Sequence, residues 1–260
     1  MRKIKLFAVA ALVLSMAVNM FGEGFEVSAK RPHAKMDTVY EVHTERDLLN
    51  ISDSILDGND YTGCEIRLME DLDFNGIGFT PLGNKNTYFN GYFNGNGYKI
   101  SNLKVNCENL DYVGFIRFLD VDGCVSDLTI YDTWFGPKAE IVGRNYVGSI
   151  VGYNAGKVIK CRNASCSVKA IGSTAGGIVG YNARLGEVTN CRISTSTDVT
   201  VFCNNVTGHK TVVNQRTTDD GRYTFVDSET KPIYGKSGNR FVGVNLGIVS
   251  KCESYLFFAW

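Results

Sequence analysis

One stretch of this sequence recurs several times, and the repetition constrains the fold more than any other feature. The copies, from the clearest to the weakest, are Tyr146–Cys161 (YVGSIVGYNAGKVIKC), Ala175–Cys191 (AGGIVGYNARLGEVTNC), Phe241–Cys252 (FVGVNLGIVSKC), and a pair of segments at Val113 (VGFIRF) and Val125–Ile130 (VSDLTI). Ile150 and Ile178 are 28 residues apart. Val179 and Val242 are 63 apart, which predicts two steps with one degraded copy between them. Repeats of about 20–50 residues are typical of stacked units that cannot bury their apolar faces alone.

The N-terminus has the pattern of an export signal. Arg2, Lys3 and Lys5 precede the apolar run Leu6–Val18, and Ser15–Ala17 has the small-x-small form of a cleavage site. The run is shorter than the roughly 20 apolar residues of a membrane span. We therefore assign residues 1–22 to a signal peptide and expect a secreted or cell-surface protein, with an uncleaved anchor as the alternative.

The remaining chain is interpreted as a linker at 23–37 and one domain at 38–260. Basic and acidic residues balance at 27 each, and losing the basic residues of the signal leaves a small negative charge. Such a balance does not attract phosphate backbones, so nucleic acid is disfavoured as a partner. Membrane contact is expected only during signal-directed export, and the oligomeric state stays open.

Cysteine usage leaves two readings open. The eight cysteines lie after the signal, at Cys64, Cys107, Cys124, Cys161, Cys166, Cys191, Cys203 and Cys252. An even number in an exported chain permits disulfides. However, Cys161, Cys191 and Cys252 hold the same place in three copies, which favours a ladder of buried thiols that fill the core. No C-x-x-C pair occurs and the three histidines are scattered, so we expect neither a metal site nor another cofactor.

The secondary-structure pattern predicts one helix followed by many short strands. In Thr44–Asp57, Thr44 and Asp47 form a variant capping box, and an apolar stripe follows at Leu48, Leu49, Ile51, Ile55 and Leu56. From about residue 61 onwards, short apolar runs alternate with glycine and asparagine, which tolerate the positive φ of sharp turns. Because of the repeat, we predict an all-β solenoid with about three short strands per coil, capped by the helix at 44–57. Thr200–Gly238 is interpreted as a degenerate coil with a polar loop, and YLFFAW at the end of the chain as a closing strand or a sticky surface for assembly.

The segment Glu70–Gly97 (EDLDFNGIGFTPLGNKNTYFNGYFNGNG), the following YKISNLKV, and the GGIVGYN…NC copies resemble bacterial surface proteins that carry the GLUG repeat. The resemblance covers about Thr38 to Cys191 and returns at Phe241–Cys252. It implies a right-handed parallel β-helix outside the cell, in proteins that are often adhesin-like. Such repeats also accompany immunoglobulin A metallopeptidases, but the H-E-x-x-H zinc motif of that enzyme is missing here, since His33, His43 and His209 have no such neighbours.

Two motifs have both a chemical and a structural interpretation. Asp71–Gly76 (DLDFNG) matches the first half of a calcium loop, but Leu82 stands where the bidentate glutamate should be, so a tight turn is favoured. Parallel β-helices include pectin-cleaving enzymes, and glycoside hydrolysis needs two carboxylates. Asp219 and Asp220 form an adjacent acidic pair, but the Gly-His-Gly and Arg-x-Lys motifs of polygalacturonases are absent around them. No catalytic residue is assigned.

The binding residues predicted from the sequence are aromatic. Tyr92, Trp134, Tyr153 and Tyr181 lie near turns or in the GYN unit, where exposed rings can stack on sugars or on partner side chains. The plainer alternative is that the repeated tyrosines and asparagines form inward or corner ladders that stabilise the coil. We therefore expect a non-enzymatic, adhesin-like binding module whose ligand is a glycan or a host surface protein. The alternatives are a polysaccharide lyase or glycoside hydrolase on the same scaffold, and a structural component of a surface assembly.

Overall fold

The computed structural model of the protein describes residues 36, 38–133 and 136–194, together with 199–204, 210–217, 223–227, 242–246, 248–250 and 253–255. The segment assigned to the export signal and almost all of the linker lie outside these residues. Trp134, the pair Asp219 and Asp220, and most of the terminal YLFFAW lie outside them as well.

The described chain is a β-solenoid of about five coils with one short helix, as the repeat predicts. The elements before the coils are β1 (Thr38–Val42) and α1 (Glu45–Leu56). Those of the first two coils are β2 (Cys64–Leu68), β3 (Leu72–Asp73), β4 (Tyr92–Asn94), β5 (Lys99–Ser101), β6 (Lys104–Cys107) and β7 (Ile116–Leu119). Those of the third coil are β8 (Cys124–Ser126), β9 (Thr129–Tyr131), β10 (Glu140–Gly143), β11 (Val147–Gly148) and β12 (Val151–Asn154).

The later coils repeat this order. The strands of the fourth coil are β13 (Lys157–Ile159), β14 (Arg162–Ala164), β15 (Ser167–Ala170), β16 (Ala175–Gly176) and β17 (Val179–Asn182). Those that follow are β18 (Glu187–Thr189), β19 (Arg192–Ser194), β20 (Val199–Asn204), β21 (Lys210–Thr217), β22 (Tyr223–Asp227), β23 (Val242–Asn245), β24 (Ile248–Ser250) and β25 (Glu253–Tyr255).

Equivalent strands of successive coils stack into parallel sheets. Sheet 1 has the order β1-β2-β4-β8-β13-β18-β24, sheet 2 the order β3-β5-β9-β14-β19-β25, and sheet 4 the order β7-β12-β17-β23. Sheet 3 contains β6, β10, β15 and β20, and β11 and β16 form a short corner pair between sheets 3 and 4. A complete coil therefore contains four or five strands rather than the three that we expected.

The register of the sheets follows the sequence repeat. Val151 lies opposite Val179 and Tyr153 opposite Tyr181, which confirms the 28-residue step. The interpretation of the 63-residue step is wrong, because Val179 lies directly opposite Val242 and no coil separates them. The additional length contains β21 and β22, which extend sheet 3 by antiparallel pairing next to β20. The segment that we interpreted as a degenerate coil is thus an insertion within one long coil.

The core is a set of apolar columns that run along the solenoid. Ile150 and Ile178 are both fully buried, and the amide of Ile150 donates to the carbonyl of Ile178 at 3.0 Å. This confirms that the two isoleucines stack in adjacent coils. The first coils use larger side chains, such as Phe93 packed edge-to-face on Phe115 with ring centroids 5.0 Å apart. Each fully buried side chain of this size contributes roughly 1.5–3 kcal/mol, so the columns hold the coils together.

Cysteines form part of one column. Arg162 lies opposite Arg192, which places Cys161 and Cys191 at equivalent positions, and both are buried. Their Sγ atoms lie 3.6 Å from the carbonyl oxygens of Val125 and Val158 of the preceding coil. The described cysteines carry free thiols, at Cys64, Cys107, Cys124, Cys161, Cys166 and Cys191. Burial also raises the pKa of the Cys166 thiol well above its ordinary value, which suits a core side chain rather than a nucleophile. Cys252 lies outside the described residues.

The helix α1 docks on the first coil as a cap. Both arms of the predicted capping box form, since the amide of Asp47 donates to Thr44 Oγ1 at 3.2 Å and that of Thr44 donates to Asp47 Oδ2 at 2.9 Å. Leu48, Ile51 and Ile55 are buried, and Ser52 Oγ donates to the carbonyl of Thr80 at 2.7 Å. The predicted stripe is wrong at its end, because Leu56 is exposed where the helix terminates.

The segment Asp71–Gly76 is a tight turn. The amide of Asn75 and the side-chain amide of Asn102 both donate to Asp73 Oδ1 at 2.8 Å, and Asn75 and Gly76 have φ of 48° and 77°. This is the Asx-type turn that we favoured over a calcium loop.

Candidate functional site

Six aromatic side chains cover one outer surface of the solenoid, and we call this surface the aromatic face. Its members are Tyr88, Tyr112, Phe118, Tyr146, Tyr153 and Tyr181. Sheet 4 supplies one ladder, because Phe118, Tyr153 and Tyr181 lie opposite one another in three successive coils. The corner supplies a second ladder, since Val113 pairs with Val147 and thereby aligns the preceding tyrosines.

The rings stack within each ladder and meet edge-to-face between the ladders. Tyr153 and Tyr181 are nearly parallel, with centroids 5.5 Å apart and an angle of 8° between the planes, and Tyr112 and Tyr146 are 4.9 Å apart at 13°. Across the ladders, Tyr112 meets Tyr153 at 5.5 Å and 90°, and Tyr146 meets Tyr181 at 5.4 Å and 81°. Stacked and perpendicular pairs at these separations are attractive, so the face is rigid before any ligand binds.

Close packing between coils explains the glycine of the repeated V-G-Y-N unit. A Cβ at Gly152 would lie 2.2 Å from the backbone of Tyr112, and one at Gly180 would lie 2.1 Å from the carbonyl of Tyr146. Only glycine allows this approach, which brings the corner tyrosines against sheet 4. The following tyrosine then points to the outer surface.

The asparagine of the unit lies inside the coil. Asn154 and Asn182 are fully buried, and Asn154 Nδ2 donates to Asn182 Oδ1 at 2.7 Å. The ladder interpretation therefore applies to both residue types. The asparagines form an internal ladder, whereas the tyrosines form one that is half-exposed on the outside.

The corner tyrosines adopt an unusual backbone conformation. Tyr112 and Tyr146 have φ of 58° and 57°, in the left-handed region that is uncommon for residues other than glycine and asparagine. A hydrogen bond from the amide of Tyr112 to the carbonyl of Asn145 at 2.8 Å holds the first of them. Such strain persists only where the surroundings enforce it, and here it sets both rings against those of sheet 4.

Two phenols of the face, those of Tyr112 and Tyr153, have pKa values above the ordinary range of tyrosine. Desolvation raises the pKa of Tyr112 and of Tyr153, and neighbouring phenols raise both pKa values further. Beside the face, Arg144 forms a two-pronged ion pair with Asp111, with N–O distances of 2.8 and 2.7 Å. The aromatic face therefore offers flat apolar rings with neutral hydroxyls and a neutralised charge pair at its edge. That combination suits stacking against the C–H faces of sugar rings together with hydrogen bonds to their hydroxyls.

The predicted binding residues do not all lie together. Tyr153 and Tyr181 belong to the aromatic face, but Tyr92 is on sheet 1, only 9% exposed, with its hydroxyl 2.8 Å from Ser126 Oγ. Burial raises the pKa of Tyr92 to about 12, as expected for a packed phenol rather than a contact residue. Trp134 lies outside the described residues.

Sequence reasoning missed four members of the face, namely Tyr88, Tyr112, Phe118 and Tyr146. One signal was available, because tyrosine precedes Val-Gly at both Val113 and Val147.

Within the part of the chain that the structure describes, no three His, Cys, Asp or Glu side chains group closely enough to hold a metal ion. Arg162 and Arg192 lie opposite each other on sheet 2 with exposed side chains, away from the aromatic face. Also within the described residues, no helix has the length and apolar character needed to cross a membrane.

The chain resembles parts of two much longer curated proteins. It is 33% identical over 173 residues to "Halomucin" of Haloquadratum walsbyi, an alignment that covers 64% of this chain and 2% of that protein. It is 30% identical over 105 residues to a "Putative Gly-rich membrane protein" of Evansella cellulosilytica, covering 37% of this chain and 12% of that one. The chain thus spans a small fraction of the length of these relatives. No family model matches it.

Among solved structures, the chain is similar to a "putative immunoglobulin A1 protease from Bacteroides ovatus". The alignment covers 84% of both chains at 13% identity, with a TM-score of 0.32. A likeness this low carries no argument about function.

Proposed function

We propose that this chain is a non-enzymatic binding module of an exported surface protein of the GLUG-repeat, adhesin-like kind, and that the aromatic face binds a glycan. The half-exposed double ladder of tyrosines is the observation that carries this proposal. Tyr92 is covered and Tyr131 is a single half-buried ring, whereas five tyrosines of the face lie side by side and all keep part of their surface open to solvent. The rings are already ordered, so a ligand that stacks on them does not have to immobilise them.

The surface location has separate support. The N-terminal sequence has the pattern of an export signal, and one of the relatives is described as a membrane protein. A structural role in a surface assembly would fit the solenoid equally well, but it does not explain an open aromatic face. A host surface protein is the other ligand class, and a glycan is favoured because the face combines stacked rings with neutral hydroxyls.

Removing two rings should abolish most of the binding. We expect Tyr153→Ala combined with Tyr181→Ala to weaken glycan affinity at least tenfold, because each lost stacking contact costs on the order of 1 kcal/mol. A glycan array with the purified mature protein identifies the ligand, and titration calorimetry then measures the affinity. If the array is empty and the protein instead binds host proteins through the same rings, the glycan assignment is wrong.

The matched control removes a ring from another sheet. Tyr131 is half-buried on sheet 2, where Lys99 Nζ lies 5.2 Å from its ring centroid. Tyr131→Ala therefore deletes the same side chain without touching the aromatic face and should leave glycan affinity unchanged. Equal losses in Tyr131→Ala and in the double variant would assign the effect to stability rather than to contact.

The enzymatic alternative predicts cleavage of acidic polysaccharides, whereas a binding module should cleave none. We expect incubation with pectins and other uronic acid polymers, with and without calcium, to release neither new reducing ends nor unsaturated products. Turnover that disappears in Asp219→Ala or Asp220→Ala would place the chain among carbohydrate-active enzymes.

A further inference from the structure

A groove opens beside the aromatic face because the first coil takes a short path between sheets 3 and 4. Three residues separate Gly78 from Leu82, whereas eleven separate their bridge partners Lys104 and Ile116 in the second coil. The first coil therefore leaves part of the second uncovered. The result is a cavity of about 430 Å³ with a mostly apolar wall that includes Phe79. We call it the Arg117 groove, after the cation on its lining.

In the second coil, Arg117 stands where the later coils have a glycine. Ile116 lies opposite Val151 and Phe118 opposite Tyr153, so Arg117 occupies the position of Gly152. The same column contains Gly180 in the fourth coil. The glycines of these later coils have a tyrosine backbone against them and no room for a Cβ. Arginine fits in the second coil because the first coil sends no such crossing over it.

The guanidinium of Arg117 has an incomplete set of partners. Its Nε and Nη2 both donate to one acceptor, the carbonyl oxygen of Asp111, at 3.3 and 3.2 Å. Within the described part of the chain, no carboxylate oxygen lies within the 4.0 Å of an ion pair with it. The carboxylate of Asp111 is instead engaged by Arg144 and by Asn145 Nδ2 at 2.8 Å.

This environment favours an anionic ligand. The side chain of Arg117 is half-buried, and burial lowers its pKa. A cation that is partly removed from water while the neighbouring Asp111 carboxylate is paired with Arg144 is costly, and an anion that enters the groove offsets that cost. The planar fork of arginine matches a carboxylate, which it can bind through two parallel hydrogen bonds. Lys104 is exposed on the groove lining and adds a second positive charge.

We propose that the Arg117 groove binds the carboxylate of an acidic sugar, so that the module selects carboxylated over neutral glycans. This inference rests on the proposed glycan-binding function and adds the chemical class of the ligand. The groove adjoins the aromatic face, since Arg117 Cζ lies 5.1 Å from the ring centroid of Phe118. An acidic sugar in the groove can therefore belong to a glycan chain whose neighbouring sugars stack on the tyrosines. The apolar wall of the groove would contact the C–H face of the acidic sugar ring.

The experiment compares matched ligands. Titration calorimetry is run with an oligosaccharide that ends in glucuronic acid and with the same oligosaccharide after its carboxyl is reduced to the alcohol. We expect the protein to bind the acid about tenfold more tightly, a difference typical of one charge-assisted contact. Arg117→Gln should bring the ratio to about one, because it weakens binding of the acid. Preference for the acid that persists in Arg117→Gln, or its absence in the unaltered protein, overturns the proposal.

Two further variants separate charge, geometry and folding. Arg162→Gln removes an exposed arginine on sheet 2, away from the aromatic face and the groove, and it should retain the preference. Arg117→Lys keeps the charge but loses the fork, and it should keep only part of the preference. Melting curves of all variants verify that they fold.

A monosaccharide titration distinguishes failure of this inference from failure of the glycan function. Free glucuronate is titrated while the Nε–H resonance of Arg117 is followed by NMR, with glucose as the neutral control. If neither oligosaccharide binds, the proposed glycan-binding function is wrong. A shift of this resonance with glucuronate but not with glucose would nevertheless support the carboxylate site. If glucuronate leaves the resonance unmoved, the site is overturned whatever the aromatic face binds.

Discussion

Replacing Ile178 with aspartate should unfold the solenoid or lower its melting temperature by tens of degrees. Ile178 is fully buried and stacked on Ile150 of the preceding coil. The substitution removes roughly 1.5–3 kcal/mol of apolar burial. It also places a carboxyl in the core without a partner, at a cost of several kcal/mol. The combined loss is comparable to the whole stability of a typical domain, about 5–15 kcal/mol.

Circular dichroism melting of Ile178→Asp measures this effect, and Leu185→Asp is the matched control. Leu185 is in the same coil but 72% exposed, so the same new charge should change its melting temperature little. Coils stabilise one another through contacts between neighbours, so a lesion in the fourth coil weakens its contacts with the third and the fifth. An unchanged melting curve for Ile178→Asp would exclude stacked coils as the source of stability.

Adding a single methyl group at Gly180 should also be strongly destabilising. The Cβ of Gly180→Ala would lie 2.1 Å from the carbonyl oxygen of Tyr146 and 2.2 Å from its carbonyl carbon. Both atoms are backbone, so no rotamer change relieves the overlap and the two coils must separate locally. Overpacking of this kind costs about 1–3 kcal/mol, which for about 200 residues corresponds to a loss of several degrees in melting temperature.

The control for Gly180→Ala is Gly78→Ala. A Cβ at Gly78 meets no atom within 4 Å, and its φ is not positive, so alanine there should be neutral or slightly stabilising. The separation of coils in Gly180→Ala should also disturb the contact between Tyr146 and Tyr181, and near-ultraviolet circular dichroism reports on that change. Equal melting temperatures for the two variants would contradict the close approach that we assign to the V-G-Y-N unit.

The stacking register could be read from the repeat, but the path of the chain between copies could not. Identical residues in identical places predict that Val151 faces Val179, and the sheet has that register. A step of 63 residues is compatible with two coils or with one coil that carries an insertion. Only the hydrogen bonding between strands decides, and it pairs Val179 with Val242. Spacing along a sequence does not contain that information.

The candidate site was predictable only where it repeats. Tyr153 and Tyr181 were found because they belong to copied units. Tyr92 lies apart from the aromatic face, and the sequence could not show this because its hydroxyl is hydrogen-bonded to Ser126, a residue 34 positions away in the next coil. Arg117 could be recognised as unusual only after the register of sheet 4 was known, because the register aligns this arginine with the glycines of the later coils.

Buried polar residues show the same limit. Asn163 opens an N-x-[ST] sequon, yet it lies opposite Ile130 and Ile193 and is fully buried. Its Nδ2 donates to the carbonyls of Cys166 and Gly177, at 3.2 and 3.0 Å. The N-x-[ST] match therefore gives no information on exposure here, since Asn163 makes polar contacts inside the coil.

The connection between sheets 3 and 4 is where the coils differ most in length. Three residues lie between Gly78 and Leu82 in the first coil, and 42 lie between Val199 and Val242 in the fifth, yet the strands on either side keep their register. This corner can therefore gain or lose chain while the neighbouring coils stay in place. Shortening it opened the groove beside Arg117, and lengthening it added two strands to sheet 3. Chain length can therefore change at this one corner without disturbing the stacked strands, and the same corner is the natural point for grafting a foreign loop.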